Sequence, residues 1–133
     1  MIIYEKHIKR LVESLASNDA EDAWHILREC GEEALPYLVK QYEATTNTDI
    51  RKSIIQIISE YRSVATLSFL ETRLADSDGE IWKSALDGLV ILGRCALPSL
   101  QRIKDTASVE KREWIEEAIE QIGKESEDDL SNG

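Results

Sequence analysis

Ala34-Leu35-Pro36-Tyr37-Leu38 returns as Ala96-Leu97-Pro98-Ser99-Leu100 after 62 residues, and Ala65-Thr66-Leu67-Ser68-Phe69 stands midway. The interval is therefore 31 residues, shortening to 30 in the last unit. A period of this length holds one helical hairpin. Hairpins that recur in this way bury their faces against their neighbours, which is the pattern of an α-solenoid.

Around these stretches, apolar residues recur at i, i+3, i+4 and i+7 up to Gly123, and no Asn-Gly or Asp-Gly hairpin with alternating flanks is found. The chain reads as all-α, with about eight short helices at 3–16, 19–30, 33–43, 48–61, 64–75, 79–93, 95–104 and 109–122. Ser77 and Glu80 have capping-box spacing ahead of the 79–93 helix, and Gly31, Gly93 and Gly123 fall where helices should stop. Pro36 and Pro98 occupy first turns, where a missing N–H costs little. Residues 1–123 form one expected helical-repeat domain. Residues 124–133, with one apolar side chain and no period, are expected to be a flexible acidic tail.

Composition removes whole classes of function. The 133 residues carry 16 Lys+Arg against 26 Asp+Glu, a formal net charge of −10. Such a charge repels a phosphate backbone, so nucleic acid is not an expected partner and a basic protein is. No apolar run is long enough for a membrane span, and the start lacks the basic and apolar regions of a secretory signal. A cytoplasmic protein, monomeric when free, is expected. Cys30 and Cys95 are too few for a disulfide scaffold and read as reduced thiols.

Aligning the second helix of each unit produces columns. Ala23/Ile54/Ala85/Ile115, Leu27/Ile58/Leu89/Ile119 and Cys30/Tyr61/Leu92/Ile122 lie at i, i+4 and i+7, one stripe facing the partner helix. Two flanking columns describe stacking between units: Trp24/Ile55/Leu86/Glu116 and Asp22/Ser53/Ser84/Trp114. They pair Trp24 with Ser53, Ile55 with Ser84 and Leu86 with Trp114, leaving Asp22 and Glu116 polar at the open ends. Trp24, Ile55 and Leu86 are thus expected to be packed and not an exposed apolar stripe. Three columns point outward: Glu21/Lys52/Lys83/Glu113, His25/Gln56/Asp87/Glu117 and Arg28/Ser59/Val90/Glu120.

Ile81-Trp82-Lys83-Ser84-Ala85-Leu86-Asp87-Gly88-Leu89-Val90-Ile91-Leu92-Gly93 resembles the second helix of a HEAT-like repeat of the short bacterial type, with its small residues, Ala-Leu and closing Gly. Ile50-Arg51-Lys52-Ser53-Ile54 resembles it with Arg in the family's place, whereas Trp82 replaces that Arg. The resemblance covers roughly residues 19–123. It implies a right-handed α-α superhelix of about four helix pairs, whose second helices form a concave face that binds partners. His25, Arg28, Gln56, Asp87, Val90, Glu117 and Glu120 are the expected contacts on it.

Catalytic constellations are not found. His7 and His25 lie on different helices with no nucleophile spaced beside either. Glu21, His25 and Glu29 share a face, but i and i+8 are about 12 Å apart along a helix, too far to close around an ion. Asp76-Ser77-Asp78-Gly79-Glu80 has its Gly too early for a calcium loop and reads as a helix cap. No cofactor or metal is expected. The sequence therefore reads as a non-enzymatic binding protein. An immunity protein or antitoxin that occludes a basic toxin domain is one alternative, and a small-molecule-handling protein resembling the HEAT-like bilin lyases is another.

Overall fold

The computed structural model describes the backbone of residues 2–132 and the side chains of residues 4–125. Over this range the chain is helical, with no strand: α1 (Ile2–Ser14), α2 (Ala20–Cys30), α3 (Leu35–Ala44), α4 (Thr48–Glu60), α5 (Leu67–Leu74), α6 (Gly79–Leu92), α7 (Leu97–Lys104) and α8 (Val109–Asn132). Seven of the eight lie within about three residues of the expected ranges. No described helix is long and apolar enough to cross a membrane. The expected tail at 124–133 falls, beyond its first two residues, on side chains outside the described set.

Local chemistry places the ends. Among the described residues three have positive φ, and they stand 31 residues apart: Gly31 at 75°, Arg62 at 50° and Gly93 at 79°. Each closes the second helix of a unit. Gly31 and Gly93 lead straight into 3₁₀ turns at Gly31–Ala34 and Gly93–Ala96, while the middle unit uses a third turn at Val64–Thr66, capped by the Ser63 hydroxyl. Helices α3, α5 and α7 therefore each start later than periodicity alone suggests. Pro36 and Pro98 do sit in first turns.

The starts repeat as well. Asn47 Oδ1 accepts the Ile50 N–H at 3.0 Å, Asp78 Oδ1 accepts the Glu80 N–H at 2.9 Å, and Ser108 Oγ accepts the Lys111 N–H at 3.3 Å. Two sequence expectations need correction here. Asp78, not a Ser77–Glu80 capping box, caps α6, because Asp78 itself holds the N-cap position and its carboxylate takes the Glu80 amide. Gly123 does not stop α8, which runs on through it to Asn132.

A third periodic device secures the last three hairpins. Arg51 Nε donates to Thr45 O at 2.8 Å, just past α3. Its equivalent, Arg112, donates to Lys104 O at 3.4 Å and Ala107 O at 3.3 Å, at the end of α7. Between them stands Trp82, which has no guanidinium. There, Lys111 from the following unit lies 5.2 Å over the Trp82 ring and donates to Leu74 O at 2.9 Å, satisfying the end of α5.

Helices pair as α1/α2, α3/α4, α5/α6 and α7/α8, and the second helices also meet in succession, α2 on α4, α4 on α6 and α6 on α8. The first core column is buried in all four units, and Leu27, Ile58 and Leu89 have no exposed surface. Each such aliphatic side chain contributes about 1.5–3 kcal/mol relative to exposure. The third column is less deep than expected: Cys30, Tyr61 and Leu92 are half-buried and only Ile122 is fully covered. Tyr61 uses this intermediate position to donate its hydroxyl to Leu27 O at 2.6 Å, joining α4 to α2.

Candidate functional site

The second helices present one row. His25, Gln56, Asp87 and Glu117 are all exposed, one each on α2, α4, α6 and α8, as the column containing them requires. Two grooves lie along this row. A groove of about 250 Å³ between α4 and α6 is lined by Lys52, Gln56, Ser59, Glu60, Ser84, Asp87, Gly88 and Ile91. A larger one, about 490 Å³, lies between α6 and α8 and is lined by Leu86, Asp87, Val90, Trp114, Glu117, Ala118, Glu120, Gln121 and Lys124. Asp87 lines both.

Four of the seven expected contacts, Asp87, Val90, Glu117 and Glu120, thus meet in one groove, and Gln56 joins Asp87 in the other. His25 and Arg28 lie in neither. His25 Nε2 is 3.9 Å from Glu21 and the ring meets Trp24 edge-on, while Arg28 lies over the Trp24 ring at 5.7 Å and 4.0 Å from Glu60. Among the described residues no three His, Cys, Asp or Glu side chains converge as a metal would require.

The Arg28/Ser59/Val90/Glu120 column needs correcting. Its two middle members do not point straight outward but lean into the seam with the next helix, while Arg28 and Glu120 are exposed. Ser59 is buried, donating its hydroxyl to Ile55 O at 2.7 Å, and Val90 is half-buried. Ser59 meets the flank of the next helix that carries Gly88. A Cβ at Gly88 would overlap Ser59 Oγ and press on Leu70 at 3.0 Å. Glycine here lets α4 and α6 approach closely. The equivalent position on α8 is Ala118, which lines the larger groove.

Trp114 also sits differently from expectation. It shares the groove with Leu86, but its ring packs edge-on against Trp82 at 6.1 Å, with Lys83 Nζ 4.8 Å above it, and it remains 41% exposed. Leu86 is 3% exposed, Ile55 is fully buried and Trp24 half-buried, so no apolar stripe runs down the second helices.

The groove has an apolar floor and an acidic rim. Glu120 pairs with Lys124 at 3.2 Å, an exposed i,i+4 contact of small energy, while Asp87 and Glu117 make no ion pair among the described residues. Burial raises the Asp87 carboxyl above its ordinary value, so its charge lacks compensation. Such a site offers van der Waals contact to an apolar group and attraction to cations. Trp114, Ala118 and Gln121 were missed as site residues. The signal for them was the loss of bulk in the column Ile57, Gly88, Ala118.

No family model, curated protein or solved structure matches the chain.

Proposed function

We propose that this chain is a HEAT-like α-solenoid of four helix pairs that works by binding a partner protein, not by catalysis, on the face shared by α2, α4, α6 and α8. The observation that carries this reading is the Asp87 carboxyl, which sits on the ridge between two grooves. It joins them into one surface with partly desolvated negative charge. The helices around it are already packed, so a partner meets a pre-formed surface and little ordering entropy is lost. The acidic excess toward α8 speeds encounter with a basic partner and disfavours nucleic acid. Cytoplasmic residence fits this reading.

The test is affinity capture from the source cell with wild type and with the Glu117→Lys, Glu120→Lys double variant. A stoichiometric protein should be retained by wild type and lost at least tenfold by the variant, whose helical circular dichroism stays unchanged. Equal retention by both would remove the acidic row from the binding surface.

A further inference from the structure

We infer that the α6–α8 groove seats two to three turns of a basic amphipathic helix from a partner protein. One apolar side chain of that helix lies on Leu86 and Val90 beside Trp114, and its Lys or Arg side chains reach Asp87 and Glu117. This deepens the proposal above and rests on it, since it assigns the occupant of one part of that face.

Dimensions favour a helix. From Trp114 to Lys124 the wall extends about 15 Å at 1.5 Å per residue, the length of about ten helical residues. A helix that long and about 10–12 Å wide fills on the order of 1,200–1,700 Å³. The groove's volume of about 490 Å³ therefore accepts one face of such a helix and leaves the rest in water. An extended strand would need a sheet edge to satisfy its backbone, and the walls here are helices whose backbone groups are already paired.

Charge selects the sign. Asp87 and Glu117 flank the apolar floor and have no cation paired to them among the described residues, and the single lysine in the groove is already engaged by Glu120. An anionic lipid surface or a nucleic acid would meet these carboxylates with its own negative charge. A helix with lysines or arginines one turn from an apolar residue places the cations at the rim and the apolar group on the floor.

The probe is a fluorescein-labelled, acetylated and amidated leucine–lysine amphipathic peptide of about 14 residues, roughly 21 Å when helical, with a leucine–glutamate counterpart. Binding to the full chain is read by fluorescence anisotropy. The lysine peptide should bind, and the glutamate peptide should bind at least tenfold more weakly. Val90→Asp separates seating from diffuse attraction, because it adds negative charge while spoiling the floor. Seating requires at least tenfold weaker binding. Gln121→Trp, at an exposed position on the same wall, plugs the groove without changing charge and should have the same effect even if Val90→Asp fails to fold. Unchanged or tighter binding by a folded Val90→Asp, unchanged binding by Gln121→Trp, equal binding of both peptides, or no binding of either would overturn the inference. Partner capture that is sensitive to the Glu117→Lys, Glu120→Lys change but indifferent to Gln121→Trp would leave the face as a binding surface and remove the helix from the groove.

Discussion

Arg62 holds a φ of 50°, in the position that glycine occupies one period before and after it. A side chain in the left-handed region costs roughly 1–2 kcal/mol, and glycine avoids that at an entropic cost of about 0.5–1 kcal/mol. Arg62→Gly should therefore stabilise the fold by about 0.5–1 kcal/mol in urea melts. Gly93→Ala should lose about 1–3 kcal/mol, because a φ of 79° with ψ of −138° is nearly closed to any other residue. Tyr42 offers a different test. Its ring is buried with Arg51 and Arg73 each 5.0 Å away, but its hydroxyl has no partner among the described residues. Tyr42→Phe keeps the ring and removes the orphan, so stability should hold or rise by about 1 kcal/mol. A loss above about 1 kcal/mol would show that the hydroxyl is satisfied.

Between elements, the spacing of α4 and α6 depends on one missing methyl. Gly88→Ala forces the added carbon against Ser59 Oγ and Leu70, and should cost about 1–3 kcal/mol. Ser59→Ala vacates the contested space, so the double variant should recover most of that loss, and a coupling energy near zero would contradict the close approach. The end of α5 depends on a loan from the next unit. Lys111→Met removes the donor to Leu74 O and the cation over Trp82, and should cost about 1–2 kcal/mol, whereas Lys124→Met, at an exposed pair, should change stability by less than about 0.5 kcal/mol. Much at this scale was legible beforehand. Stops at Gly31 and Gly93 and the first-turn prolines Pro36 and Pro98 depend only on local chemistry, so spacing and residue type suffice to place them. The groove was not legible as a place. A column of apolar and small residues does not say which neighbour each will meet. Column alignment alone places Ser59 outward with Arg28 and Glu120, whereas a serine that returns its hydroxyl to the carbonyl four residues back can be buried.

At the scale of the whole molecule, titration reports on packing between units. The Tyr61 phenol is held above its ordinary pKa, first by burial and then by Cys30, and the Tyr4 phenol is pushed up to about 12, first by burial and then by the neighbouring Cys30 thiol. An acid whose folded pKa exceeds the unfolded value contributes stability that is complete below the unfolded pKa of about 10 and lost as pH rises through the folded one. Stability should fall above pH of about 10, and Tyr61→Phe should flatten that fall while costing about 1 kcal/mol at neutral pH through the lost bond to Leu27. Asp87 acts in the same direction at low pH: its raised carboxyl favours the fold as the solution becomes acid and loses its attraction for a cationic partner there. A complex with the proposed cationic partner should thus weaken as the pH falls into the carboxylate range, without a matching loss of fold stability from Asp87.

The equivalence of residues 30 or 31 apart along an open stack underlies every placement above. Its most direct measurement is the set of distances between spin labels at cysteines placed on His25, Asp87 and Glu117 in a Cys30→Ala, Cys95→Ala background, read pairwise by pulsed electron resonance. With second helices about 8–10 Å apart, the His25–Asp87 distance should be about 16–20 Å and the His25–Glu117 distance about 24–30 Å, each added unit lengthening it. A His25–Glu117 distance equal to or shorter than His25–Asp87 would mean that the helices close into a bundle.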